Sequence, residues 1–323
     1  MEDIDNFEMI RQMHTVLVLH FIEGEKQSDI AERLNLSKSK VNRLIAEGRR
    51  LGLVKIAIET PFQRLLTIEE KLMAANSLRA AVVAPTIAGN PDLTLRQVTT
   101  VAGNHFLESL QDGDVIAITG GKAVSEVVEN LKPERKFDVK VVPLTGGVQG
   151  KFFTDVNNLV SKLAEKLGGE ALVIHAPLFT EDKIQRDMLM NVSSIKEIFT
   201  LSRRATVALV GIGSILPMGS SYYDLHPLNT GERDELIGRG VVAEFMAHLI
   251  HDDGSIAQVA MNNCLVAVNP SEIKNCSRII GVASGDTKIR PIMAALKGGF
   301  ITSLVTDEET AEEVIKLYEE ISQ

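Results

Sequence analysis

The sequence predicts an α/β protein in which a small, winged-helix-like N-terminal helix-turn-helix domain precedes a larger α/β domain. Two observations predict this division. Residues 1–60 carry apolar residues at helical spacing, whereas the rest of the chain alternates short β-rich runs with helical segments. The 323 residues also match the length of about two ordinary domains. We place the boundary at Pro61, which separates residues 1–60 from residues 61–323.

The N-terminal domain is predicted to contain three helices. Apolar residues recur on one stripe over residues 9–22, which is typical of an amphipathic helix. A second helix begins near Gln27, with Ser28 as its N-cap. Ser37 follows a tight turn and caps a third helix. The three segments have the order and spacing of a helix-turn-helix.

The residues between these helices favour the same motif. Ala31 is small enough for the third helix to pack across the second at close range. Asn35 tolerates the positive φ that the tight turn requires, although glycine meets that requirement best. Beyond the third helix, the alternating residues 53–59 predict a short strand in the position of a wing.

Positive charge is concentrated in the N-terminal domain. The net charge of the chain is −9, yet the segment from Lys26 to Lys55 holds eight basic and three acidic residues, a local balance of +5. Phosphate binding responds to local rather than total charge, so this segment predicts a DNA-binding surface. The predicted DNA-contacting residues are Gln27, Ser37, Lys38, Ser39, Lys40, Asn42, Arg43, Arg49 and Arg50. A three-helix cap with a merely solvated basic face stays open as an alternative.

The larger domain is predicted to contain a mostly parallel sheet with crossover helices. A helix over residues 65–78 leads into it. The candidate strands are residues 80–84, 115–119, 139–144, 171–176, 206–210, 265–268, 278–282 and 303–306.

Four of these strands end in glycine-containing turns, at residues 119–122, 145–147, 211–214 and 284–288. The carboxyl ends of parallel strands open on one edge, where glycines and helix N-termini expose backbone N–H groups. The turns therefore predict a pocket for an anionic ligand, to which Lys122 and Lys288 would add positive charge. None has the spacing of a dinucleotide fingerprint or a P-loop, so we expect no cofactor.

Composition limits the other classes of protein. No apolar run approaches the ~20 residues of a membrane span, and the acidic N-terminus lacks the features of a signal peptide. Cys264 and Cys276 have no partner at a zinc or redox spacing, which fits a reducing cytoplasm. The spacing of His248 and His251 is a weak signal for a metal, and we interpret this segment as the end of a helix.

Several segments resemble the SorC/DeoR family of sugar-binding bacterial transcription regulators, and the resemblance spans nearly the whole chain. In the N-terminal domain it rests on residues 27–34 and 36–44. In the larger domain it rests on residues 141–147, residues 211–213 and, most specifically, residues 280–311. It implies an effector domain similar to the sugar-phosphate isomerase and CoA-transferase folds, and a homotetramer, a dimer of dimers, on double-stranded operator DNA.

The resemblance also implies that the effector is a sugar phosphate, a sugar or a polyol. The residues assigned to it are Thr119, Gly120, Gly121, Lys122, Thr145, Gly146, Gly147, Gly213, Glu244 and Lys288. The first four would hold a phosphate, Glu244 would accept sugar hydroxyls, and Lys288 would pair with a phosphate or a hydroxyl.

The chain departs from the family pattern at three places. It has Gly120-Gly121-Lys122 where relatives have an aromatic-glycine pair and a threonine, and it has Glu244 where aspartate is usual. These two departures concern the identity of the sugar. In the third helix, Lys38 and Asn42 replace arginine and serine, which concerns the operator sequence.

Two other functions stay open. The larger domain resembles sugar-phosphate isomerases or deaminases, for which Glu244, His175 and His226 are candidate acid–base groups. However, no nucleophile–base arrangement is evident, and a DNA-binding domain is an unusual companion for such an enzyme. A DNA-binding scaffold without a ligand is the other alternative, and the four glycine turns argue against it.

Overall fold

The structure, a computed structural model, describes residues 2–54, 62–76, 78–148, 155–216 and 230–322. The chain divides into two compact units, residues 1–61 and residues 62–323. Each unit has a hydrophobic core of its own. None of the helices within the described ranges combines the length and the apolar character that crossing a bilayer requires.

Three helices form the N-terminal unit: α1 (Glu2–Phe21), α2 (Gln27–Arg33) and α3 (Lys38–Arg50). α1 and α3 approach each other closely at Gly48, where a methyl group would come within 2.6 Å of the Leu17 side chain. The predicted turn is confirmed, because Asn35 adopts a φ of 52°. The predicted cap of α3 is confirmed too, since the Ser37 hydroxyl accepts a hydrogen bond from the Lys40 amide at 3.2 Å.

The start of α2 differs from the prediction. Lys26, not Ser28, is the N-cap residue, and it provides no side-chain cap. The Ser28 hydroxyl instead donates to the Asp29 carboxylate at 2.9 Å. Ala31 is buried, as a close crossing of α2 and α3 requires. The predicted wing strand at residues 53–59 lies largely outside the described residues.

A sheet forms the centre of the larger unit. Its strands are β1 (Ala80–Ala84), β2 (Val115–Ile118), β3 (Lys140–Pro143), β4 (Glu170–Ala171), β5 (Val207–Ser214), β6 (Val241–Phe245), β7 (His248–His251), β8 (Arg278–Val282) and β9 (Ser303–Asp307). The strand order is β1-β9-β8-β5-β2-β3-β4, and each neighbouring pair in this order is parallel. The last residues of β5 pair antiparallel with β6, which in turn pairs with β7. The predicted parallel sheet is confirmed.

Helices cover both faces of this sheet. They are α4 (Gln63–Asn76), α5 (Pro91–Ser109), α6 (Lys122–Asn130), α7 (Val156–Leu167), α8 (Lys183–Met190), α9 (Ser193–Ser202), α10 (Thr230–Gly238), α11 (Ala260–Asn263), α12 (Ile289–Lys297) and α13 (Glu308–Ser322), with 3-10 turns at Pro270–Ile273 and Asp286–Lys288. Successive strand residues point to opposite faces. Ile116 and Ile118 accordingly pack with α5, α6 and α7, whereas Ala117 belongs to the core beneath α4, α9, α12 and α13.

Two predicted strands are corrected by the structure. The strand predicted at residues 171–176 shrinks to the two residues of β4. Residues 265–268 form no strand but only isolated bridges, Leu265 with Phe179 and Ala267 with Thr145. Both segments lie at the margin of the sheet, where few neighbouring strands are available to extend the pairing.

The hairpin of β6 and β7 was missed by the sequence analysis. Its turn residues, Met246 and Ala247, adopt φ values of 52° and 64°. Two consecutive positive φ values are typical of a tight hairpin turn, for which asparagine and glycine are the usual residues. His248 and His251 lie in β7, so their interpretation as the end of a helix is wrong.

Candidate functional site

A cavity of about 630 Å³ opens at the carboxyl ends of the central strands. It is lined by the segments that follow β1, β2, β8 and β9 and by the last residues of β5, together with Glu244 of β6. The parallel arrangement brings these segments together, because every strand in this part of the sheet ends on the same edge. Of the predicted effector residues, Thr119, Gly120, Gly121, Lys122, Gly213, Glu244 and Lys288 line the cavity.

Two helical N-termini face this cavity. Gly121 is the N-cap of α6, and Gly285 is the N-cap of the 3-10 turn that leads into α12. Both adopt a positive φ, 117° and 103° respectively, which favours glycine. Glycine has no side chain that could cap either start. The first N–H groups of α6 are therefore available to an anion, whereas the Thr287 amide in the 3-10 turn already donates to the Asp286 carboxylate at 2.7 Å.

Glu244 provides a carboxylate on the cavity wall. It lies opposite Gly213 in the antiparallel pairing of β5 and β6. A side chain at position 213 would collide with Oε2 of Glu244, so the glycine makes room for the carboxylate. Oε1 accepts a hydrogen bond from the Ala247 amide, which fixes the carboxylate in place. Burial raises the pKa of Glu244, and the Ala247 amide and the charge of Lys288 oppose this effect.

Lys288 provides a cation to the same cavity. Its side chain is partly buried, and burial lowers its pKa, while the charge of Glu244 acts in the opposite direction. Among the residues that the structure describes, none forms an ion pair or a hydrogen bond with the Lys288 ammonium group. A desolvated ammonium group without a partner binds an anion or a hydroxyl oxygen strongly.

Lys122 is placed differently from Lys288. It stands in the first turn of α6 and is exposed, and its Nζ lies 3.1 Å from Oδ1 of Asp92 at the start of α5. Asp92 also lines the cavity. Lys122, which was predicted to hold a phosphate, is therefore paired with a carboxylate in this structure.

Asp307 is a cavity residue that the sequence analysis did not assign. This buried carboxylate at the end of β9 accepts hydrogen bonds from the Thr86 hydroxyl at 2.9 Å, the Gly285 amide at 3.0 Å and the Thr310 hydroxyl at 2.6 Å. Burial alone would raise the pKa of Asp307, but these hydrogen bonds outweigh it and lower the pKa. Asp307 thus ties together the loops after β1 and β8. Only its place after a predicted strand indicated such a role.

Thr145, Gly146 and Gly147 do not reach the cavity. In the strand order, β2 separates β3 from the centre of the sheet. The residues that follow β3 pair with other loops. The Gly146 amide donates to Val266 O at 2.7 Å, and the Gly147 amide donates to Ala176 O at 2.8 Å. A side chain at position 146 would collide with the backbone of residue 177. These glycines serve close backbone packing, so the structure separates them from the other predicted effector residues.

His175, one of the two histidines considered as acid–base groups, does not line the cavity. It is exposed and lies outside the cavity lining, and the other, His226, falls outside the described residues. His248 is buried, and its Nδ1 donates to Met246 O at 2.8 Å. Within the described ranges, no three His, Cys, Asp or Glu side chains are grouped as metal ligands.

The predicted DNA-contacting side chains lie on α3 or at its N-cap, except Gln27, which begins α2. The exposed members are Ser37, Lys38, Ser39, Asn42, Arg43, Arg49 and Arg50, and the partly buried ones are Gln27 and Lys40. Two of the arginines already have partners within the unit. Arg50 Nε donates to Glu47 at 2.9 Å, and the Arg49 guanidinium lies 5.3 Å from the centre of the Phe21 ring. The first two turns of α3 therefore present the more available donors.

Comparison with known proteins connects the two units to one family. Residues 60–316 match the family described as "Putative sugar-binding domain", and residues 11–51 match "Sigma-70, region 4". The erythritol catabolism regulatory protein EryD of Brucella abortus is 30% identical over 299 residues, which cover 92% of this chain and 94% of EryD. The sorbitol operon regulator of Klebsiella pneumoniae is 29% identical, covering 97% of this chain and all of that protein.

Comparison of the fold with solved structures indicates the same family. The crystal structure of the full-length sorbitol operon regulator SorC from Klebsiella pneumoniae has a TM-score of 0.74 and 27% sequence identity to this chain, and the match covers 95% of this chain and 99% of SorC. These relatives are transcription regulators, so the chain is a DNA-binding regulator rather than a sugar-phosphate isomerase. The chain belongs to the SorC/DeoR family of sugar-binding bacterial transcription regulators.

Proposed function

We propose that this regulator controls an operon for the catabolism of a carbohydrate or polyol, and that a sugar, polyol or sugar phosphate bound in the cavity sets its affinity for operator DNA. Residues 1–60 act as the DNA-binding domain, and residues 61–323 bind the effector and form the oligomer, a homotetramer. The protein acts in the cytoplasm, where the operator is. Relatives that are named as regulators of erythritol catabolism and of the sorbitol operon support this class of effector.

One observation carries the proposal: Lys288 and Glu244 line the same cavity, at a sheet edge where the uncapped start of α6 also lies. A phosphate or hydroxyl near Lys288 would gain a charge-assisted contact, and one at the start of α6 would gain backbone N–H donors. The Glu244 carboxylate would accept hydrogen bonds from hydroxyl groups elsewhere on the ligand. A polyhydroxylated molecule, with or without one anionic end, matches this distribution of donors and acceptors.

The DNA-binding side chains in this proposal are those at the start of α3. Ser39, Lys40 and Asn42 contact base edges in the major groove, and Lys38 and Arg43 contact phosphates. Effector binding favours one packing of the protomers and so changes the spacing of paired N-terminal domains. Operator half-sites recur at fixed helical intervals, so a change of this spacing alters the affinity.

The test combines thermal shift with DNA binding. Purified protein is screened against free and phosphorylated pentoses, hexoses and polyols, and the ligand that raises the melting temperature is added to a DNA-binding assay. We expect Lys288→Ala to lose both the thermal shift and the ligand effect on DNA binding, while its DNA affinity without ligand stays near that of the wild type.

Lys297→Ala is the matched control, because Lys297 ends the same helix, α12, and lies outside the cavity lining. It should respond to the ligand as the wild type does. A Lys288→Ala variant with an unchanged ligand response would show that the effector binds elsewhere.

A further inference from the structure

The ion pair of Asp92 and Lys122 joins the starts of two helices at the cavity. Asp92 lies in the first turn of α5, Lys122 lies in the first turn of α6, and both residues line the cavity. The side chains are 82% and 54% exposed, respectively, with 3.1 Å between Oδ1 of Asp92 and Nζ of Lys122. An ion pair this exposed is weak, so a competing anion can displace one partner.

Helix stability does not account for Lys122. A cation in the first turn of a helix opposes the positive end of the helix dipole, whereas Asp92 in the first turn of α5 is favourable. Lys122 is also one helical turn from Glu126, whose Oε2 is buried without a hydrogen-bond partner. Burial raises the pKa of Glu126, and the charges of Lys122 and Arg96 oppose this effect. Lys122 thus lies among carboxylates beside the uncapped start of α6.

The ion pair limits the positive charge that the cavity offers to a ligand. Lys122 and Lys288 are the cations among the described residues of the lining, which also includes six carboxylates, those of Asp92, Glu244, Asp286, Asp307, Glu309 and Glu313. While Asp92 is paired with Lys122, the positive charge of Lys122 is compensated. An anion at the start of α6 is then also repelled by the Asp92 carboxylate. Lys288 is then the available cation.

We propose that Asp92 is a specificity-determining residue that competes with the effector for Lys122 and so disfavours anionic groups at the start of α6. This proposal rests on the proposed function, because it concerns the same cavity. With the pair closed, the cavity takes a neutral polyol or a ligand whose single anionic group binds at Lys288. A second anionic group binds only if Lys122 leaves Asp92.

Isothermal titration of the full-length protein with inorganic phosphate and with pyrophosphate at low ionic strength tests this competition. We expect Asp92→Asn to bind both anions roughly fivefold more tightly than the wild type, the upper range for an exposed ion pair. The gain should disappear in Asp92→Asn/Lys122→Met. Glu170→Gln is the matched control, since Glu170 forms an exposed pair with Lys140 outside the cavity lining, and it should bind as the wild type does.

Each result of these titrations either supports or overturns the competition between Asp92 and the anion. Equal anion affinity of the wild type and Asp92→Asn overturns the competition, and it leaves the proposed function intact if Lys288→Ala still abolishes anion binding. A gain that survives Lys122→Met also overturns it, because Asp92 would then act through its own charge alone. If neither anion binds the wild type or Asp92→Asn, this competition fails, whereas the proposed function is decided separately by the sugar and polyol screen.

Discussion

Gly213 and Glu244 occupy paired positions on β5 and β6, and the carboxylate of Glu244 fills the space that a side chain at position 213 would need. The pairing belongs to the segment where β5 has left the parallel sheet and joins the hairpin. A glycine in a strand usually weakens it, so its presence here marks a close approach. The position of the carboxylate therefore depends on the absence of a neighbouring side chain.

Gly213→Ala should lower the free energy of unfolding by about 1–3 kcal/mol, the usual cost of inserting a methyl group into a well-packed site. The new methyl group would displace the Glu244 carboxylate and so reduce the thermal shift by the effector. Urea denaturation measures the first effect. In a Glu244→Ala background the same substitution should cost much less, and an equal cost in both backgrounds would rule out the clash.

The buried His248 should make the protein sensitive to acid. Burial lowers the pKa of His248 from its ordinary value to about 4, and the charge of Arg186 adds to this effect, while Met246 O and Glu272 oppose it. Between pH 6.5 and pH 4 the unfolded chain binds a proton that the folded chain does not. This contribution to stability is therefore complete above about pH 6.5 and is lost as the pH falls toward 4, a total of about 3 kcal/mol.

Urea denaturation between pH 7.5 and pH 4 checks this dependence. The comparison is His248→Asn, whose amide can still donate to Met246 O but does not titrate. The wild type should lose more stability than the variant over this range. Parallel curves for the two proteins would contradict a neutral, buried His248.

On the DNA-binding surface, Arg43 and Arg50 should differ. Arg43 is exposed near the start of α3, whereas Arg50 is held by Glu47 at the end of the helix. Arg43→Ala should weaken binding to a mixed-sequence duplex and reduce the salt slope of log K by about 0.9, the value for one phosphate contact. Fluorescence anisotropy over a series of salt concentrations measures both quantities.

Arg50→Ala serves as the comparison, because its guanidinium is already paired and should release fewer counterions on binding. We expect a smaller change of slope than for Arg43→Ala. Equal salt slopes for the wild type and Arg43→Ala would show that Arg43 does not contact a phosphate.

Local sequence signals predicted the parts of the fold that depend on local physics. Ser37 capped its helix and Asn35 took the positive φ because both effects are decided within a few residues. The hairpin of β6 and β7 was not predicted, because Met246 and Ala247 are not residues that favour turns. Tertiary packing imposes their conformation. The sequence thus predicted turns with suitable residues and missed the turn without them.

The cavity was predicted in part for a related reason. Glycines after β2 and β8 and at the end of β5 meet at one edge, as parallel strands require. The glycines after β3 carry the same local signal, but the strand order places them elsewhere, and strand order is not encoded locally. Asp307 was missed because its hydrogen-bond partners, Thr86 and Gly285, are distant in sequence.

The hydrogen bonds of Asp307 also bear on the energetics of recognition. They fix the loops after β1 and β8 without any contribution from a bound molecule. That half of the receptor is preorganised, so little conformational entropy is lost there when a metabolite arrives. Differences in affinity among metabolites should then arise at the opposite side, where the starts of α5 and α6 meet.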